Sequence, residues 1–215
     1  VQHLAGRYLL RYLFPDFPYE LIRIADTLKP FLENEAYHFS ISHCGDYAAA
    51  IVSRSHRVGI DIEIPAFKVA RVRHKFLNTE DLAIMEKERT TFPVPDWVHF
   101  KLSPVGGDIN RGGPPWAVSP PPTPSKAMTN PATEALFLRK LTLLWSAKEA
   151  VFKWYGNGEV DFSDQIRVQS PGNTLSIPGE GNMKGMFLKE QRSSLVLPFV
   201  NFKEICLVWV MTLPV

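Results

Sequence analysis

Apolar and polar positions change period several times along the chain, and each change marks an element. In residues 3 to 14, Leu4, Tyr8 and Tyr12 recur every four positions, as do Leu9 and Leu13, with Arg7 and Arg11 on another stripe. This spacing predicts an amphipathic helix that Pro15 and Pro18 end. Residues 20 to 25 read as a short strand and 27 to 30 as a loop. Strands are expected at 37 to 42, 47 to 53 and 57 to 64, the first two joined by the Cys44-Gly45-Asp46 turn. Helical spacing follows at about 66 to 76 and 79 to 88. It returns strongly from Glu134 to Tyr155, where Gly156-Asn157-Gly158 supplies a stop. Strand-like stretches at about 163 to 168, 183 to 190, 194 to 200 and 203 to 212 complete an α+β, mostly antiparallel pattern.

Periodicity is lost between 89 and 133. Of the 18 prolines, those from Pro93 to Pro131 are densely packed, and Gly112-Gly113-Pro114-Pro115 and Pro120-Pro121-Pro122 forbid helix or central strand. The expected organisation is therefore a first half over 1–88, a Pro/Gly-rich insertion over 89–133 and a second half over 134–215. The insertion is read as a disordered surface loop, as an ordered flap over the carrier or CoA path with Trp97 and Trp116 as anchors, or as a stretch with no role. Its length of about 45 residues is unusual inside a compact domain.

Composition narrows the chemistry. The formal net charge of +2 carries no strong field for nucleic acid or an anionic membrane. No apolar run reaches the roughly 18 residues of a membrane span, and no signal peptide opens the chain. Two distant cysteines, Cys44 and Cys206, build neither a disulfide framework nor a closed zinc site, and free thiols point to a reducing cytoplasm. The chain starts at Val1 rather than Met, as a fragment or processed form would.

Three segments carry candidate chemistry. In Gly59-Ile60-Asp61-Ile62-Glu63 the strand period of two puts Asp61 and Glu63 on one face. Adjacent carboxylates repel unless they are solvated, paired with bases or bridged by a hard cation such as Mg²⁺. In Trp145-Ser146-Ala147-Lys148-Glu149-Ala150-Val151-Phe152-Lys153, residues Trp145, Glu149 and Lys153 line one face of an otherwise apolar helix. In Ser42-His43 a hydroxyl and an imidazole end a strand and suit a phosphate. Each segment alone also fits an ordinary role: a solvated edge strand, a surface Glu–Lys pair or a capping histidine. His38, His43 and Cys44 lack a fourth partner for zinc.

Together and in this order, the segments resemble the 4′-phosphopantetheinyl transferase superfamily. Lys29-Pro30 is similar to its Lys-Pro element, and 75–80 to the stretch after the acidic strand. The resemblance covers about 1–86 and 134–212 and is closest to the larger, monomeric branch. That branch implies two similar α+β halves in a pseudo-twofold fold, with a further strand and helix before the segment matching 3–14. It implies Mg²⁺-dependent transfer of phosphopantetheine from coenzyme A to a serine of an apo acyl or peptidyl carrier protein, releasing 3′,5′-ADP. By the same resemblance, Asp61, Glu63 and Glu149 hold the metal. Glu149 takes the serine proton, and Lys153 assists the leaving group. His43 binds the pyrophosphate, Lys29, Pro30 and Ser42 lie near the adenosine 3′-phosphate, and Lys148 serves phosphate or caps a surface. Two other readings remain open: a non-catalytic CoA-binding scaffold, and a metal-dependent phosphohydrolase.

Overall fold

The structure is a computed structural model that describes residues 2–25, 29–91, 131–172, 175–190 and 192–214. The insertion, with Trp97 and Trp116, lies outside these apart from its ends. The described residues form a mixed α+β fold of antiparallel strands packed by one long helix.

Helix α1 spans Gln2–Leu13, and strands β1 (Ile22–Ile24) and β2 (Pro30–Leu32) pair antiparallel. Where a strand is expected from residue 20, the chain makes a 3₁₀ turn over Tyr19–Leu21 first. The expected loop up to Pro30 gives way to β2, whose first residue is a proline with no amide to donate. Strands β3 (His38–Cys44) and β4 (Tyr47–Ser53) form a hairpin closed by Gly45 at φ +56°, a conformation that favours glycine. On α1 the regular stripe points outward: Leu4, Tyr8 and Tyr12 are 71%, 69% and 74% exposed. Leu10 is buried instead, with Phe17, Leu32, Tyr37 and Phe39, and Gly6 lets the helix approach Ile41. Edge-to-face contact of Phe17 with Phe39 at 5.2 Å adds about 1 kcal/mol beyond simple burial.

Strand β5 (Arg57–Glu63) opens the larger unit, a sheet of order β5-β9-β8-β7-β6. Its other strands are β6 (Ile166–Gln169), β7 (Glu180–Phe187), β8 (Ser193–Phe202) and β9 (Ile205–Thr212). β8 pairs with β9 only through Phe199–Phe202, and Pro198, which has no amide hydrogen, stands where that ladder stops. Helices α2 (Phe67–Val72), α3 (Thr79–Thr91) and α4 (Pro131–Tyr155) complete the fold. α4 crosses the sheet and buries Leu141, Leu144, Ala147, Ala150, Val151 and Trp154 against residues such as Val208, Val210 and Phe199. Residues of α2 and α3 share the larger core with α4, and β5 lies against both β3 and α4. Arg89 pairs with Glu134, joining the two helices that flank 92–130.

Among the described residues, no helix is long and apolar enough to cross a membrane.

Candidate active site

The site begins with a glycine. A Cβ on Gly59 would lie 2.6 Å from the Trp154 amide nitrogen and 2.8 Å from its Cβ, and closer still to the Ala150 carbonyl oxygen. Only a residue without a side chain lets α4 come this close to β5. Strand alternation then sends Asp61 and Glu63, like Gly59, toward α4. The carboxylate face of the strand is therefore the face covered by a helix, and Asp61 is only 3% exposed.

On α4, from Leu141 to Tyr155, the residues that escape full burial are Trp145, Glu149, Phe152 and Lys153. These include the three at fourfold spacing, so the helix opens along its candidate stripe. Lys153 Nζ donates to Asp61 Oδ1 at 2.6 Å, and Trp145 Nε1 donates to Glu63 Oε1 at 3.2 Å. Glu149 lies between them along the helix. Burial, then the Asp61 carboxylate, pushes its pKa up to about 7, against the pull of Lys153. Burial also raises the pKa of Asp61, with Lys153 opposing.

β3 meets β5 through side chains. Ser40, Ser42 and Cys44 share one face of β3 by alternation. Ser40 Oγ accepts from the Ile60 amide at 3.2 Å, Ser42 Oγ donates to Asp61 Oδ1 at 2.8 Å, and Cys44 Sγ donates to Glu63 Oε2 at 3.3 Å. Ser42 also accepts from Lys153 Nζ at 2.9 Å. A hydroxyl expected at an adenosine phosphate is thus bonded to the acidic strand. His43 falls on the opposite face of β3 and is exposed, so Ser42 and His43 do not converge.

Lys29 and Pro30 come to the site from β2. With Lys153, Ser40 and Phe152 they line a hollow of about 160 Å³. Lys29 reaches over Gly156, which sits at φ +80° and ends α4. Burial, then the Arg57 charge, lowers the Lys29 pKa to about 8. Lys29 and Pro30 also line a second cleft of about 510 Å³, with Arg57, Tyr155, His38 and Glu35. Arg57, which sequence reasoning passed over, stacks its guanidinium 5.2 Å from the Trp154 ring centre and donates to the Tyr155 carbonyl. Its one sequence signal is a cation at the head of the acidic strand. Cys44, expected as a turn residue, a free thiol or an incomplete zinc ligand, instead meets Glu63; its signal is the period-two spacing from Ser42.

Lys148 lies elsewhere. It is fully buried and donates to the carbonyls of Phe162 at 2.7 Å and Ile166 at 2.6 Å. These bonds tie α4 to the chain entering β6, so its ammonium is not turned toward Glu149 or Lys153. A separate hollow of about 610 Å³, lined by residues of α3 and β6 to β8, contains none of the candidate residues. Volume alone is a poor guide here, because the titratable and hydrogen-bonded groups gather between β3, β5 and α4.

Among the described residues, no three His, Cys, Asp or Glu side chains are grouped closely enough to hold a metal ion. The donor chemistry nonetheless suits a hard cation. Asp61 Oδ2 is buried without a hydrogen-bond partner, and the charges of Asp61 and Glu63 both act on the Glu149 carboxyl.

A scan of protein-family models finds none that matches the chain, and a search of curated proteins finds no match either.

Proposed function

We propose that this protein transfers the 4′-phosphopantetheine group of coenzyme A to a serine hydroxyl of an apo acyl or peptidyl carrier protein, releasing 3′,5′-ADP. The observation that carries the reading is the 2.6 Å contact of Lys153 with Asp61, which brings the candidate helix and the acidic strand together. The resemblance of those two segments to the transferase superfamily supplies the reaction.

Asp61, Glu63 and Glu149 would hold Mg²⁺, which supplies charge neutralisation at a pyrophosphate. Glu149, with a pKa near 7, is suited to accept the serine proton. Lys153, on the same face, is suited to donate to the oxygen of the departing phosphate. Lys29 lines the same hollow and suits a second phosphate group. The exposed His43 suits the pyrophosphate only from outside this hollow. Lys148 has an architectural role in this reading, because its donors are taken by carbonyls.

The expectation of two similar halves has coarse support: α1 packs on the β3–β4 hairpin, and α4 on the five-stranded sheet. The reading also implies a monomer working in the cytoplasm, which suits free Cys44 and Cys206. One observation favours the non-catalytic CoA-binding alternative, namely that the three carboxylates are not grouped for a metal. A single assay separates the two. The protein is incubated with CoA, Mg²⁺ and an apo carrier protein, and the carrier is weighed by mass spectrometry. A gain of one phosphopantetheine is expected, and Glu149→Ala should abolish it with the fold retained. No gain with CoA still bound would leave the scaffold.

A further inference from the structure

Beside its charged groups, the open stripe of α4 carries an aromatic wall. Trp145 and Phe152 fall within about 20° of each other around the helix. Glu149 lies between them along the axis, about 40° to one side, and Lys148 about 60° to the other. Phe162, from the chain entering β6, bridges the two rings: its centre is 5.7 Å from that of Trp145 and 5.4 Å from that of Phe152. Lys148 holds this segment on the far side from Glu149, donating to the carbonyls of Phe162 at 2.7 Å and Ile166 at 2.6 Å. Asp161 stiffens it further, because its Oδ1 accepts from the amides of Ser163 at 2.8 Å and Asp164 at 2.9 Å. The three rings pack against the main core but stay only partly buried. The wall also joins two hollows. Phe152 lines the 160 Å³ hollow with Lys29 and Lys153, while Trp145 and Phe162 line another of about 510 Å³, together with His74 and Lys75. A path therefore runs from two ammonium groups, past Glu149 and along aromatic rings, to an open hollow. Apolar walls with a few placed polar groups are the usual make-up of a small-molecule site.

We infer that Trp145, Phe152 and Phe162 form a subsite for the pantetheine arm of coenzyme A, and that Lys148 positions it by holding Phe162. The inference rests on the transferase reading. The order of groups along the path follows the covalent order of CoA, whose pyrophosphate is followed at once by a carbon bearing methyl groups, then by amides and a thiol. With phosphate at Lys29 and Lys153, the methyl groups come next to Phe152 and Phe162, where burial of apolar area is favourable. The amides reach the open hollow, where His74 and Lys75 offer donors to their carbonyls. The product 3′,5′-ADP has no such arm. The wall therefore favours substrate over product when the two compete for the site.

Isothermal titration of the full chain with CoA and, separately, with 3′,5′-ADP tests the subsite. Phe162→Ala is expected to weaken CoA binding about tenfold and to leave 3′,5′-ADP within about twofold of the wild type. Lys148→Met, which keeps the length of the side chain but not its donors, should show the same selective loss. A lysine that only supported the fold would lower both affinities together, and that result removes its positioning role. Unchanged CoA binding by Phe162→Ala, or an equal loss for both ligands, overturns the subsite. A measurement on the wild-type chain covers the case in which the variants do not fold. In saturation-transfer NMR, irradiation of the protein's aromatic protons should pass to the methyl groups of bound CoA, and methyl groups that receive nothing overturn the subsite as well. If the wild type binds neither ligand and modifies no carrier protein, the transferase reading falls and takes this inference with it. If it binds both and Phe162→Ala keeps the CoA affinity, only the subsite falls.

Discussion

Gly59→Ala tests whether the close crossing of α4 over β5 builds the site. The added methyl would sit 2.6 Å from the Trp154 nitrogen, where ordinary contact begins at 3.4 Å. The shortfall is 3.4 minus 2.6, or 0.8 Å, and it is larger at the Ala150 carbonyl. The obstacle is helix backbone rather than the tip of a side chain, so no rotamer change relieves it. α4 is a 25-residue helix buried on most of its surface, so it must shift as a body or bend. Overpacking of this kind costs about 1–3 kcal/mol, and a backbone obstacle belongs at the upper end. Stiffening the unfolded chain by replacing glycine returns about 0.4–1 kcal/mol, leaving a net loss of about 2 kcal/mol. Urea unfolding with an unchanged m-value measures that loss. Gly179→Ala serves as the control: nothing lies within 4 Å of its added methyl, so stability should hold or rise slightly. Because Asp61 is two residues beyond Gly59, the shift should also lengthen the Asp61–Lys153 contact and slow any transfer reaction. The reasoning is refuted if Gly59→Ala matches the wild type within about 0.5 kcal/mol and its crystal structure keeps the 2.6 Å contact.

Two further outcomes are expected. Lys29 and Lys148 each have a folded pKa of about 8 against an ordinary value of 10.5, chiefly through burial. Between these values the unfolded state holds more protons, so stability should rise with pH, by at most about 1.4 kcal/mol per group per pH unit. The buried Cys206 thiol, pushed up to about 12 from 9.0, acts in the opposite direction above pH 9. The gain should therefore be sought by denaturation between pH 7.5 and 9, and Lys148→Met should remove much of it; an unchanged slope in that variant would contradict the assignment. The buried pair of Lys140 with Glu88, 2.5 Å apart, links α4 to α3. Lys140→Met alone should cost about 3–5 kcal/mol by stranding the carboxylate, and the double variant with Glu88→Leu should recover most of it; equal losses in single and double variants would rule out a stranded charge.

Local rules placed most elements, because they depend on near neighbours in the chain. The strand over Tyr47–Ser53, the period of two in Arg57–Glu63 and the turn at Gly45 were readable directly, and the observed β4 and β5 follow them closely. So was the long apolar helix with its glycine stop, which begins at Pro131 rather than Glu134. Alternation also put Asp61 and Glu63 on one face, and fourfold spacing aligned Trp145, Glu149 and Lys153.

Spacing within a segment could not say what covers that face. An exposed edge strand and a strand buried under a helix have the same alternating pattern. The difference arises at Gly59, through an approach to Ala150 and Trp154 about 90 residues away in the chain. For the same reason Lys148, one position from Glu149, became an internal tie to Phe162 and Ile166: a turn of about 100° per residue separates an open stripe from a core. Ser42 and His43 went to opposite faces because strand neighbours must, and Arg57 joined a cleft that β2 and the end of α4 build together. The stripe Leu4-Tyr8-Tyr12 predicted an apolar face on α1, but burial went to Leu10 and Gly6, because the helix comes down on the hairpin at Gly6, against Ile41. Sequence alone determined which residues could act together within each segment. Tertiary packing decided which of them meet, because burial and charge pairing depend on contacts between segments far apart in the chain.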